Sequence, residues 1–151
     1  MKKLENDSLR LSSQLCFPVY STAHALNRVY KPLLEPLGLT YPQYLVMLTL
    51  WEQDDVSVKE IGARLHLDSG TLTPLLKRLE QSGLVTRRRD AVDERHVRIE
   101  LTTKGRNLRA RARTIPHDLF CTMGSSLQDI VALKESLIAL RDRLNAGTQE
   151  G

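Results

Sequence analysis

Several features are missing or scarce in this chain, and each absence excludes something. The basic N-terminus, Met1-Lys2-Lys3-Leu4-Glu5-Asn6-Asp7, is followed by no long apolar run, so neither a signal peptide nor a membrane span is expected. A cytoplasmic protein is the expectation. No Gly-, Pro- or Ser-rich linker, repeat or low-complexity segment divides the 151 residues, a length that suits one well-buried core. A single domain over residues 1–151 is therefore expected. Histidine is sparse, with His24, His66, His96 and His117 far apart, and there is no paired histidine and no Cys-x-x-Cys. No metal and no cofactor are expected. Cysteine is scarcer still, only Cys16 and Cys121, and a reducing cytosol makes these reduced or redox-active thiols rather than a structural staple.

What is present carries a net charge of +4 and an isoelectric point near 9.3, which favours an anionic partner without proving one. Position matters more than sum. From Pro18 to Leu34, Val19, Ala23, Leu26, Val29, Tyr30, Leu33 and Leu34 recur at three- and four-residue steps, predicting a helix that Pro36 and Gly38 end. Thr40 caps the next helix, with Pro42 in its first turn and Tyr44, Leu45, Leu48 and Trp51 on its apolar side, and Asp54-Asp55 closes it. A short helix over Val58–Leu65 follows Val56-Ser57. After a turn at Leu67-Asp68-Ser69-Gly70, a helix carries Leu72, Leu75, Leu76 and Leu79 on one face and ends at Ser82-Gly83.

Then Leu84-Val85-Thr86 runs into Arg87, Arg88 and Arg89, a polar tip covers Asp90 to Arg95, and Val97, Ile99 and Leu101 alternate with Arg98 and Glu100. That period predicts a β-hairpin. Thr102 or Thr103 starts a long helix through Leu108, Ala112, Ile115, Leu119 and Met123, with a kink allowed at Pro116. A last helix over about 127–144 carries Ile130, Leu133, Leu137, Leu140 and Leu144 as a coiled-coil-like seam. The fold class is mainly α with a small β-hairpin.

Helix, turn, helix and hairpin over about residues 55–102 make a winged helix-turn-helix, with one helix for the major groove and a tip for the minor groove. The face opposite the leucines carries Ser69, Gly70, Thr73, Pro74, Lys77, Arg78 and Gln81, and Thr71 beside it is a further candidate DNA contact. Small residues there let backbone approach DNA, and Lys77 and Arg78 can reach phosphates or guanine edges. At the tip, Asp93 can hold the Arg95 guanidinium for a narrow minor groove. Of Arg87, Arg88 and Arg89, at least one should face phosphate, unless all three are a solvated surface. Arg106, Arg109, Arg111 and Arg113 read as an exposed helical face.

Phe17-Pro18 reads as a helix start, which places Cys16 beside free N–H groups whose dipole favours thiolate, the form that attacks a peroxide. Leu15, Phe17 and Val19 make the surroundings apolar. A lone cysteine is also often a small buried hydrophobe, and the residues leave both readings open. Cys121, among Leu119, Phe120 and Met123, reads equally as core or as a resolving thiol.

Leu15-Cys16-Phe17, Tyr30 to Leu37, Thr40 to Tyr44 and Leu67 to Arg78 closely resemble the organic hydroperoxide resistance regulators of the MarR family of winged-helix repressors. The resemblance runs from about Leu15 to Leu101. It implies a homodimer of triangular shape whose dimerisation helices, about residues 8–36 and 103–146, interlock, and a double-stranded palindromic operator as partner. Cys16 matches the peroxide-sensing cysteine, and Tyr30 and Tyr41 match tyrosines that hydrogen-bond it from the other chain. Cys121 resembles the second cysteine of the two-cysteine subgroup, which forms a disulfide with the sensor of the other subunit. Asp93 and Arg95 match the wing motif.

The expectation is thus a non-enzymatic repressor, bound to DNA when reduced and released when an organic hydroperoxide oxidises Cys16. Two alternatives stand beside it: a repressor released by a small phenolic ligand with Cys16 inert, and a thiol peroxidase using the DNA-binding half as a scaffold.

Overall fold

The computed structural model describes residues 8–148, which fall into two compact units divided between Ile115 and Pro116. In the first unit a 3-10 turn at Leu11–Ser13 precedes α1 (Cys16–Leu34), and a second 3-10 turn covers Glu35–Leu37. There follow α2 (Tyr41–Glu52), β1 (Val56–Ser57), α3 (Val58–Leu65), α4 (Ser69–Gln81), β2 (Val85–Arg89), β3 (Val97–Leu101) and α5 (Thr103–Ala112). The chain continues as α6 (Ile115–Met123) and α7 (Leu127–Thr148).

Polar residues set the helix starts, each satisfying an N–H that the first turn cannot. The Thr40 hydroxyl accepts from the Gln43 N–H while Gln43 Oε1 accepts from the Thr40 N–H at 3.0 Å. Ser57 and Glu60 make the same reciprocal pair for α3, and Asp68 Oδ1 accepts from the Thr71 N–H at 2.7 Å for α4. Each such cap is worth about 0.5–2 kcal/mol. Gly38, in the left-handed region at φ 69°, ends the second 3-10 turn.

The apolar stripes meet in one core. Leu34, Met47, Leu50, Ile61, Leu72, Leu76, Leu79 and Ile99 are all buried, and each contributes about 1.5–3 kcal/mol by leaving water. On α4 this buries Leu72, Leu76 and Leu79 and leaves the opposite polar face in solvent, so packing decides which side is displayed. Gly105 is required by the same packing. A Cβ there would overlap the Leu84 carbonyl oxygen, a backbone atom that cannot swing away. Gly105→Ala should therefore destabilise the protein by about 1–3 kcal/mol, despite alanine's better helix propensity. Urea unfolding measures it, and a neutral or stabilising result would refute the close approach.

Three expectations change. The expected hairpin is present, but β1 joins it in a three-stranded antiparallel sheet of order β1-β3-β2, with Val56 opposite Ile99 and Val85 opposite Leu101. Two residues are too few to show alternation. Helix α1 begins at Cys16 rather than Pro18, because a proline in the first turn needs no N–H partner. The long helix expected from Thr102 or Thr103 to Met123 is two helices: Pro116 has no N–H to give the Ala112 carbonyl, so α5 stops and α6 restarts with Pro116 in its first turn.

Among the described residues, large apolar side chains are exposed on two helices. On α1 these are Phe17, Val19 and Tyr20, after Leu15. On α7 the seam residues Leu133, Leu137 and Leu144 are exposed, with Ile130 and Leu140 partly buried.

Candidate nucleic-acid interface and thiol site

The exposed face of α4 displays Ser69, Gly70, Thr71, Thr73, Pro74, Lys77 and Arg78. Ser69 and Thr73 line an open cleft of about 520 Å³ together with Lys59 of α3, Arg87 of β2 and Arg95 of the wing. Side-chain cations from three segments thus stand at the rim of one concavity whose floor is largely apolar, with Val58, Leu67, Leu72 and Val97 among its lining.

The wing connecting β2 and β3 is braced from within. The Asp90 N–H donates to the His96 carbonyl at 2.8 Å, and Asp90 Oδ1 accepts from the N–H groups of Val92 and Asp93. Asp93 takes the Arg95 guanidinium bidentately, Nε on Oδ1 and Nη2 on Oδ2, both at 3.0 Å. Arg95 itself is 88% exposed, so the pair aims the cation outward rather than burying it. The side-chain and backbone hydrogen bonds of Arg95 hold the Asp93 carboxyl below the usual carboxylate range. The hold on Arg95 is therefore complete above about pH 4 and is lost only on acidification through that lowered value.

Three arginines in β2 take different partners. Arg87 Nε pairs with Glu80 of α4 at 3.3 Å. Arg88 spans Glu100 at 2.8 Å and Asp55 at 3.0 Å, and Arg89 Nη1 donates to the Glu94 carbonyl at 3.2 Å. Arg87 alone of the three lines the cleft. Arg106, Arg109 and Arg111 of α5 and Arg113 just after it are exposed as expected; Arg106 also approaches Asp54 at 3.4 Å, and Arg111 donates to the Pro36 carbonyl at 2.7 Å.

Sequence reasoning missed the residues beneath the wing. Asp55, read only as part of a helix terminator, adopts the left-handed conformation at φ 55° and accepts from both Arg88 and Arg98. The partners lie 33 and 43 positions away, so no local spacing announces them.

Cys16 is the first residue of α1 and is exposed; Cys121, on α6, is also exposed, with Sγ 3.8 Å from both ring nitrogens of His117. Burial as a small hydrophobe within the chain describes neither thiol. Tyr30 packs on Tyr41 with ring centroids 4.5 Å apart, and Tyr44 lies 5.9 Å from Tyr30. Fourteen residues separate Cys16 from Tyr30 on one helix, about 21 Å at 1.5 Å per residue, so Tyr30 could meet a Cys16 only from another chain.

Burial raises the pKa of all three tyrosines, and at Tyr30 the neighbouring phenols add to it. They remain O–H donors at neutral pH. A proton held more tightly when folded contributes stability in full below about pH 10 and loses it as pH rises through the folded values. Melting temperature should therefore fall above about pH 10, and less so in Tyr30→Phe; an identical alkaline profile in that variant would contradict the assignment. Among the described residues no group of three or more His, Cys, Asp or Glu is placed to hold a metal, and no helix is long and apolar enough to cross a membrane.

Comparison with known proteins matches residues 28–111, over half the chain, to the family described as transcriptional regulator SarA/Rot. The chain is 55% identical over 141 residues to the HTH-type transcriptional regulator TtmR of Methylorubrum extorquens, covering 93% of this chain and 72% of that one. It is 46% identical over 139 residues to the organic hydroperoxide resistance transcriptional regulator of Bacillus subtilis, covering 92% and 95%. Among solved structures, AbfR of Staphylococcus epidermidis is similar in several states. The reduced, DNA-bound AbfR aligns with a TM-score of 0.81 at 35% identity, covering 94% of this chain and 97% of that one. A disulfide form aligns at 0.60 and 34%, covering 97% of each.

Proposed function

The chain belongs to the MarR family of winged-helix transcriptional regulators, in its organic hydroperoxide regulator type, and from that premise we propose that it is a peroxide-released repressor acting in the cytoplasm. Two copies associate through the apolar faces of α1 and α7 that one chain leaves uncovered. The dimer presents two α4 helices about 34 Å apart to successive major grooves of a palindromic operator, and each Arg95 enters the flanking minor groove. Ser69, Gly70, Thr71, Thr73 and Pro74 bring the helix close to base edges, and Lys77, Arg78 and Arg87 neutralise phosphates. Arg88 and Arg89 serve the wing through the partners described above.

The observation that carries the redox half is the placement of Cys16: an exposed thiol opening a helix beside the exposed apolar side chains of Phe17, Val19 and Tyr20. An organic hydroperoxide takes the sulfur electron pair, leaving Cys16 as sulfenic acid and releasing the alcohol. Cys121 of the other chain then displaces water to form the disulfide, with Tyr30 and Tyr41 as hydrogen-bond donors at the reacting sulfur. Closure needs Cα atoms within about 7 Å, so helices that begin further apart must shift and turn the wings out of register. A dithiol reverses the step. The relative named for organic hydroperoxide resistance and the reduced and disulfide structures of AbfR support this reading.

Selection of duplexes from a random pool by the reduced protein tests the DNA half. The enriched sites should be inverted repeats with half-sites one helical turn apart, about 10 base pairs centre to centre. Enrichment of unrepeated or single-stranded sites would overturn it.

A further inference from the structure

The wing is tied to the end of α2 by a continuous chain of charge-assisted hydrogen bonds that no DNA contact explains. Asp55 follows α2 in a left-handed backbone conformation that Asp tolerates better than most residues. Its Oδ1 accepts from Arg98 Nε at 2.7 Å, its backbone carbonyl accepts from Arg98 Nη2, and both its oxygens face Arg88 Nη2 at 3.0 Å. Arg98 then reaches forward with Nη1 to Asp90 Oδ2 at 3.4 Å. Asp90 holds the N–H groups of Val92 and Asp93, and Asp93 holds Arg95. Arg98 is the link where the path crosses from the sheet to the wing. Its side chain is only 26% exposed, and its guanidinium is occupied by Asp55 and Asp90 on both edges.

We propose that Arg98 is a positioning residue for operator binding: bridging Asp55 and Asp90, it fixes the base of the wing and so the direction in which Arg95 points, without touching DNA. The inference rests on the reading of Arg95 as a DNA contact. A guanidinium suits the task because its planar fork donates to Asp55 from one edge and to Asp90 from the other, a span that the single nitrogen of an ammonium lacks. The geometry separates it from Arg88, which shares Asp55 but turns to Glu100 and does not reach Asp90.

Arg98→Gln breaks the bridge, and Asp90→Asn breaks the same link while keeping Oδ1 as acceptor for the two wing amides. The second variant serves if the first fails to fold. Each should weaken operator binding about fivefold or more, with an unchanged slope of log affinity against log salt, because no phosphate contact is lost; removing a phosphate contact lowers that slope by about one. In an Arg95→Ala background the Arg98 and Asp90 changes should have almost no further effect, since the group they orient is gone. Full additivity with Arg95→Ala, a reduced salt slope, or parental affinity in both variants would overturn the positioning role. If Arg95→Ala alone leaves affinity unchanged, the reading of the wing fails instead.

Discussion

Replacing Cys16 by Ser should leave DNA binding by the reduced protein intact and abolish its release by organic hydroperoxide. Serine keeps the size and position of the side chain at the start of α1 but is too weak a nucleophile to attack the O–O bond, so no sulfenic acid forms. The effect is close to all-or-none. Cys121→Ser provides the contrast: Cys16 should still oxidise to sulfenic or higher acids, but no cross-linked dimer should appear on a non-reducing gel. A Cys16→Ser protein still driven from DNA by peroxide would leave the thiol without a role and favour a ligand-released repressor. A cross-linked band persisting in Cys121→Ser would place the bridge elsewhere.

Arg95→Ala should weaken binding to the operator by about tenfold to a hundredfold. The case is geometric. The side chain is 88% exposed and yet held on two nitrogens by Asp93, so its outward direction is set before DNA arrives and little rotamer freedom is lost on binding. Asp93→Ala should cost less, because the cation remains and only its orientation is released. Titrating a labelled operator at fixed salt measures both. Equal affinities for Arg95→Ala and the parent would remove the wing tip from the interface.

Much of this was legible in the residues themselves, and the reasons differ by element. The leucines of α4 step at helical spacing, so the buried and displayed faces of that helix followed from period alone, and Asp93 and Arg95 are near enough in sequence for their pairing to be read directly. Thr40 and Pro42 marked the start of α2 because capping is a local property. Non-local structure was harder. Strand β1 has two residues and cannot display a period, and the Asp55–Arg98 pair joins positions 43 apart through the fold. Pro116 signalled a disturbance in the expected helix, but only the packing of Ala112 and Ile115 into the core shows that the chain stops and restarts there. The run Arg87, Arg88, Arg89 reads as a uniform basic strand, whereas Glu80, Glu100, Asp55 and the Glu94 carbonyl divide it into separate tasks.

The most direct test follows the anisotropy of a labelled operator bound by the reduced wild-type protein while cumene hydroperoxide is added to one equivalent per subunit, then dithiothreitol in excess. The account predicts that anisotropy falls to that of free DNA at that equivalence and recovers with the dithiol. An operator that stays bound at one equivalent, with Cys16 unmodified in the mass spectrum of the same sample, would contradict it.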